Sequence, residues 1–344
     1  MTTTTAQTSV PASFADVAPL MRLADLMAPM AVRVAATLRL PDHIAAGRST
    51  TAELAEAAGA DAEALRRLMR FLVPRGLFTV ADDGRYALTP MSTLLLSDHP
   101  DQLRARFDLD GPVARGDLSF TRLLHTMTTG EPAYPQTYGS TFWDDLDADP
   151  ELGAKFGAMM AATVSQSGIE SRYDWAGVRT LVDVGGGTGE LISQVLGAHP
   201  GVQGTIVDLP ATADRARTAM AERGLAERCD VVAGSFFDPL PPGADVYLLC
   251  KVLHDWDDEQ ARAILRRCAE AAGADGRVLI LEMMLTGSEN ESQFTYLDLH
   301  MLAYFGGKER TLDEYRDLAA SAGLRLRRVS DGKWGGSILE CVAA

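Results

Sequence analysis

The apolar positions change their period near Trp175. Before it they recur at helical spacing, first as Val17, Leu20, Met21, Leu23, Ala24, Met27 and Met30, then as Val34, Ala35 and Leu38. Pro19, Pro29 and Pro41 punctuate the pattern. Such a methionine stripe could line a substrate entrance, although a core or a partner-helix face is the plainer reading. Thr50-Thr51-Ala52-Glu53 is a capping-box start for a helix over 52–58. After Gly59, Asp61 can cap a second helix through Leu65, Leu68, Met69 and Leu72 toward Arg75-Gly76. Leu77–Val80 and Arg85–Leu88 then form a hairpin about Asp83-Gly84. Helix, turn, helix and hairpin together make a winged helix. Arg66, Arg67 and Arg70 on its second helix raise DNA binding, while Asp61 and Glu63 oppose it, and contact with a second copy of the chain is the plainer use. From Phe107 to Asp174 the pattern is helical again, broken at Gly130-Glu131-Pro132 and Tyr134-Pro135. Phe142, Trp143, Phe156, Met159 and Met160 in it could wall a flat ligand or simply pack.

From Trp175 onward short apolar runs alternate with helical stretches, the rhythm of a doubly wound parallel α/β sheet. Strands are expected at Thr180–Val184, Gly204–Asp208, Cys229–Gly234, Asp245–Lys251 and Gly276–Glu282, with helices over 212–223 and 260–272 and a last strand over 337–342. Three segments follow: 14–105, a helical linker and pocket segment over 106–174, and the sheet domain over 175–344. Ligands in such sheets sit beyond the carboxyl ends of the strands. Asp183, Asp208, Ser235, Phe236, His254 and Glu282 all fall there.

Gly185-Gly186-Gly187-Thr188-Gly189 follows the first strand, and its glycines let backbone approach a ligand closely. A phosphate-binding loop needs a Lys-Ser/Thr pair after its glycines, and Gly189-Glu190-Leu191 has none. A dinucleotide fold would place a pyrophosphate here, and Asp183 would repel it. That acid suits instead a ligand with a cationic amino end, such as S-adenosylmethionine, and Asp208 ends the next strand where a carboxylate can hold ribose hydroxyls.

The 344 residues suffice for two domains and a sizeable core. A hydrophobic share of 47% and a charged share of 23% suit a soluble globular protein. A net charge of −15 opposes a nucleic-acid partner. The four cysteines, Cys229, Cys250, Cys268 and Cys341, form no CxxC pair and suit a reducing cytoplasm. No apolar run approaches membrane-spanning length, and Met1 to Ser13 reads as a loose tail rather than a signal peptide. No His, Cys and carboxylate spacing resembles a metal site, so no metal is implied.

His254 follows a buried strand and precedes a polar helix start. It can take a proton from a phenol only if a carboxylate on its other nitrogen fixes the tautomer and stabilises the cation. Glu282 is well placed for that, and Glu309 in Gly306-Gly307-Lys308-Glu309-Arg310-Thr311 is a second candidate that could equally be a solvated charge. His300 lies beside the presumed pocket, with neither a structural nor a chemical role assigned.

Leu181–Gly189, Val207-Asp208-Leu209-Pro210, Leu253-His254-Asp255-Trp256-Asp257-Asp258-Glu259 and Gly306–Thr311 together resemble the class I S-adenosylmethionine-dependent O-methyltransferases. The likeness is to the homodimeric small-molecule branch, which includes plant caffeate-type enzymes and bacterial polyketide and anthracycline tailoring enzymes. It covers nearly the whole chain. The resemblance implies a Rossmann-like methyltransferase domain at the C-terminus, a winged-helix dimerisation domain over 14–105, and a cytoplasmic homodimer acting on an aromatic or polyketide hydroxyl. It places Asp183, Gly185, Gly187, Asp208, Leu209, Ser235, Phe236 and Cys250 around the methyl donor. His254 becomes the general base with Glu282 and Glu309 as its carboxylates, and Met160, Met301, Asp255, Phe142 and Trp143 face the acceptor. Two positions depart from the family. Ser235 stands where an aspartate is usual, and Cys250-Lys251 stand where Lys-Asn is common. Some tailoring relatives bind the donor but hydroxylate or decarboxylate, and the pairing of His254 with Glu282 favours methyl transfer over that alternative.

Overall fold

Local capping starts the first half of the fold. In this computed structural model, which describes residues 14–164, 167–285, 292–330 and 336–344, the N–H of Glu53 donates to Oγ1 of Thr50 and the N–H of Thr50 donates to Oε2 of Glu53, opening the helix Thr51–Ala58. Oδ1 of Asp61 accepts the N–H of Ala64 at 2.8 Å and opens Ala62–Leu72. The hairpin β1 (Phe78–Val80) and β2 (Tyr86–Leu88) follows in antiparallel register. Ala35, Leu40, Leu54, Leu65, Met69, Leu72 and Phe78 fill the centre of this first unit, which ends at Asp110. Arg66 and Arg67 are engaged by Glu63, at 2.7 and 3.0 Å. The apolar stripe at the start is not core. Leu20, Met21, Leu23, Leu26 and Met27 are 63–86% exposed on the helices Phe14–Ala24 and Met27–Thr37 and at the junction between them.

The second unit runs from Gly111 to Ala344. Its sheet contains β3 (Thr180–Val184), β4 (Gln203–Asp208), β5 (Cys229–Ala233), β6 (Val246–Cys250), β7 (Arg277–Glu282), β10 (Leu324–Ser330) and β11 (Ser337–Ala343). The short pair β8 (Met284–Leu285) and β9 (Arg310–Thr311) lies outside it. The sheet order is β10-β11-β7-β6-β3-β4-β5. β3 to β7 are parallel, whereas β11 runs antiparallel to both β7 and β10. The sheet is therefore mixed: the expected parallel strands carry a C-terminal antiparallel hairpin at one edge. β10 itself has no counterpart among the expected strands.

Successive residues of β6 serve opposite layers, as a pleated strand requires. Tyr247 and Leu249 pack with Ile264, Leu265, Ile280 and Leu318, while Val246 and Leu248 pack with Ile192, Val195, Ile206 and Leu279. A strand buried on both faces is stiff, and its carboxyl end is a fixed platform. The helices between Pro112 and Val164 belong to this unit too. Their aromatic cluster joins Tyr134, Phe142, Trp143 and Phe156 to Phe305 on the helix Ser292–Phe305. No helix among the described residues is long and apolar enough to cross a membrane.

Candidate active site

The turn after β3 is shaped by three glycines and two acids. Gly185, at φ +71°, donates its N–H to the carbonyl of Val207 at 2.8 Å. Gly187, at φ +58°, donates to Oδ2 of Asp208 at 2.8 Å, and a Cβ there would meet open space. Both conformations are ones that glycine adopts without strain. Oδ1 of Asp208 accepts the N–H of Leu209 at 2.8 Å, so two backbone donors hold this carboxylate at the end of β4. Asp183 is 1% exposed beneath the turn, and a Cβ on Gly186 would lie 2.6 Å from its Cγ. Burial, and then the charge of Asp208, push its carboxyl up to about 7. Its Oδ2 has no hydrogen-bond partner. A buried, unmatched carboxylate oxygen is completed by a cation or a donor, and a ligand with an ammonium end supplies one. The donor set thus fits S-adenosylmethionine.

Around this turn, a Cβ on Gly185 would lie 3.5 Å from the ring of Phe236 and 3.0 Å from Cγ2 of Val252. Leu209 is 39% exposed beside Asp208. Oγ of Ser235 accepts the N–H of Phe237 at 3.2 Å and retains its own hydroxyl proton for donation. Cys250, at the end of β6, feels Glu282 and Asp183, and burial pushes its thiol up strongly.

Immediately after Val252 the chain makes a single 3-10 turn, Leu253–Asp255. Glu282, fully buried at the end of β7, sets it. Its Oε1 accepts the N–H groups of Val252 at 3.0 Å and Leu253 at 2.9 Å. The ring of His254 is buried, with Nδ1 2.7 Å from Oε1 of Glu309. Oε2 of Glu282 is 3.6 Å from the same nitrogen, and Oδ1 of Asp255 is 3.5 Å from Nε2. The structure thus reorders the two expected carboxylates. Glu309 takes the ring hydrogen bond, and Glu282 holds the backbone while contributing charge. Burial pushes the imidazole down, but Glu282, Asp255 and Glu309 outweigh it and raise it to about 10. Burial, followed by the two glutamates, raises Asp255 to about 7 against the pull of His254.

The residues expected to face an acceptor lie on the neighbouring helices. Met160 is half-buried on Pro150–Val164 and Met301 is buried on Ser292–Phe305. Trp143 stacks on Phe305 with centroids 5.2 Å apart, while Phe142 is 2% exposed among Tyr134, Trp143, Phe156 and Phe305. Phe142 is packed as core, and Trp143 is half-buried beside it. Three further residues were not anticipated. Oδ1 of Asp298 accepts the N–H of Glu309 at 2.9 Å. Asp117 lies 3.0 Å from Nε2 of His300, whose Nδ1 is 2.8 Å from the carbonyl of Tyr296. Arg310 is fully buried beside Glu309. Arg310 follows Gly306-Gly307-Lys308-Glu309 in the sequence, which is the one local signal that could have flagged it; Asp117 and Asp298 carry none.

Comparison with known proteins places this geometry. Residues 120–325 match the O-methyltransferase domain, and residues 21–98 match the O-methyltransferase dimerisation domain. A 2,7-dihydroxy-5-methyl-1-naphthoate 7-O-methyltransferase of Streptomyces carzinostaticus is 53% identical over 90% of this chain and 92% of its own length. The crystal structure of an O-methyltransferase from neocarzinostatin biosynthesis, in complex with S-adenosylmethionine and 2-hydroxy-5-methyl naphthoic acid, superposes with a TM-score of 0.90. That match has 50% identity and covers 94% of this chain and 98% of the other. An aclacinomycin 10-hydroxylase of Streptomyces purpurascens is 44% identical over 89% of this chain and 84% of its own length. With both family domains matched in order along it, the chain belongs to the O-methyltransferase family.

Proposed function

We propose that this chain moves the methyl group of S-adenosylmethionine onto a hydroxyl of an aromatic, naphthoate-like or polyketide-type acceptor, with His254 as the general base. The observation that carries the proposal is the 2.7 Å bond from Nδ1 of His254 to Glu309 inside a buried cluster of acids. The bond commits the Nδ1 proton to Glu309 and leaves Nε2 as the exchanging nitrogen. A phenol loses its proton near pH 10, as a tyrosine side chain does, and an imidazole raised to about 10 matches it. Proton transfer between the two is then nearly balanced. When bound, the donor supplies an electrophilic methyl group. The chain orients the acceptor oxygen, excludes water and keeps the removed proton on His254, so positioning supplies much of the rate.

Around the donor, the open Gly187 backbone and the unmatched Asp183 oxygen support a methionine-end role for the glycine turn. Asp208 suits the ribose hydroxyls, and Leu209 with Phe236 suits the adenine. Ser235 offers a neutral hydroxyl, and Cys250 a half-buried thiol, at the rim. Met160, Met301, Trp143 and Asp255 are assigned to the acceptor, with Phe142 supporting them from the core. Free thiols at all four cysteines support a cytoplasmic setting. The matched dimerisation domain supports a homodimer formed through the first unit.

The hydroxylase relative favours a second reading, in which the donor binds but the product gains oxygen rather than a methyl group. The His254 and Glu309 pair favours methyl transfer, because a base beside the acceptor serves that reaction directly. Incubation with donor and a hydroxynaphthoate, followed by mass spectrometry, separates the two. A product heavier by one methylene, lost in His254→Gln while calorimetric donor binding persists, is the expected result. A full-turnover His254→Gln enzyme would refute the role of the base.

A further inference from the structure

We infer that Arg310 is the positioning residue that keeps the base in register, fastening the turn that carries His254 to the segment that carries Glu309. This inference rests on the base role proposed above. The guanidinium is 0% exposed. Its Nη1 donates to the carbonyl of Leu253 at 2.8 Å, Nη2 to the carbonyl of Trp256 at 2.8 Å, and Nε to Oδ1 of Asp258 at 2.9 Å. A longer bond from Nη1 reaches the carbonyl of Lys308 at 3.4 Å. In the same seam the N–H of Lys308 donates to the carbonyl of His254 at 2.9 Å.

A buried guanidinium is costly unless its fork of donors is met, and here all three of its nitrogens are. What they meet is specific. A one-turn helix leaves its N–H groups unpaired at one end and its carbonyls at the other. Glu282 takes N–H groups at the start of Leu253–Asp255, and Arg310 takes the carbonyl of Leu253 within the turn and that of Trp256 just past its end. His254 projects from between them and bonds Glu309, the chain neighbour of Arg310. Gly307 completes the fit, since a Cβ on it would fall on the carbonyls of His254 and Asp255. Lysine keeps the charge but presents a point rather than a planar fork, so it cannot span two carbonyls and a carboxylate at once.

The test is made on the full-length enzyme with Arg310→Lys and Arg310→Ala, reading donor affinity by calorimetry and kcat and KM across the neutral to alkaline range. A base displaced by roughly an ångström loses about 100-fold in kcat. That loss is expected in Arg310→Lys, with donor affinity and acceptor KM held within a few-fold and an altered pH profile. Added guanidinium ion is expected to restore part of the kcat of Arg310→Ala. An Arg310→Lys enzyme with wild-type kcat and pH profile overturns the inference, as does an Arg310→Ala enzyme that ignores guanidinium and loses donor affinity in step with kcat. Should Arg310→Ala fail to fold, Arg310→Lys alone decides. His254→Gln is run in parallel. If it stays active, the base role fails; if it is dead while Arg310→Lys is fully active, only the inference about the arginine fails.

Discussion

Nδ1 of His254 and Oε1 of Glu309 are 2.7 Å apart although 55 residues separate them in the chain. Three carboxylates raise the imidazole to about 10 against the opposing effect of burial, so the resting ring carries its proton at neutral pH. An acceptor phenol can give up its proton only after that one has left. Activity is therefore expected to rise with pH and to level near the value of the ring. Glu309→Gln keeps a polar group at the site but removes a charge. The rising limb should move to lower pH and the plateau should fall by about 10- to 100-fold, the loss of one charge-assisted hydrogen bond of about 1.5–3 kcal/mol. A kcat/KM profile measured for both enzymes checks this. A limb unmoved by the substitution would show that Glu309 does not set the basicity of the ring.

Leu23 is 86% exposed and Met27 65% exposed, within or beside the segment that matches the dimerisation domain. Exposed apolar side chains in such number on two successive helices mark a surface that a partner covers. Leu23→Glu with Met27→Glu is expected to shift the enzyme from dimer to monomer in sedimentation velocity at micromolar concentration, with the far-ultraviolet circular dichroism spectrum unchanged. A dimer that survives both charges at that concentration places the interface elsewhere.

Gly307 lies against the carbonyl of His254, and a Cβ there would also come within 2.5 Å of the carbonyl carbon of Asp255. Backbone atoms have no rotamer by which to move aside. Gly307→Ala is expected to push the His254 turn away from Glu309 and lower kcat by at least about tenfold, with donor affinity little changed, because a near-ångström misplacement is enough for such a loss. Steady-state kinetics with calorimetry reads both. Wild-type kcat in this variant would show that the two loops do not need to touch.

Short-range physics explains which parts of this molecule were legible in its sequence. Thr50 and Glu53 cap within one turn, and the capping box stands where the residues put it. The glycine turn and the acids near the ends of β3 and β4 were legible because a strand and a tight turn are written in adjacent residues. The strand β10 was missed although Leu324 and Leu326 alternate with exposed arginines at the period of a half-buried strand; the alternation spans too few residues, and mixes with too many charges, to stand out beside the longer apolar runs. The choice between Glu282 and Glu309 as the ring partner of His254 depends on how the ends of two strands meet in space, and spacing carries no such information. The same holds for Arg310, whose partners Leu253, Trp256 and Asp258 lie more than fifty residues earlier.

Asp183 carries the last prediction, which sets stability against binding. Its carboxyl ionises at an ordinary 3.8 when unfolded and at about 7 when folded, because burial and then Asp208 disfavour the charge. Between those values the folded state holds more protons than the unfolded state, so stability falls as pH rises from about 4 to about 7. Above that window the charge is present, buried and unmatched on Oδ2. Asp183→Asn removes the charge and is expected to raise the melting temperature of the ligand-free enzyme at pH 8 while leaving it little changed at pH 4. The gain is on the order of a few kcal/mol. In the proposed reading this destabilising charge is what meets the cationic end of S-adenosylmethionine, so the same variant should bind the donor at least about tenfold more weakly, the loss of one charge-assisted hydrogen bond. Scanning calorimetry at the two pH values and titration calorimetry with the donor test the two halves separately. A variant that is more stable yet binds the donor as tightly as wild type would release Asp183 from the donor site, and one that is no more stable at pH 8 would show that its charge is already compensated in the free protein.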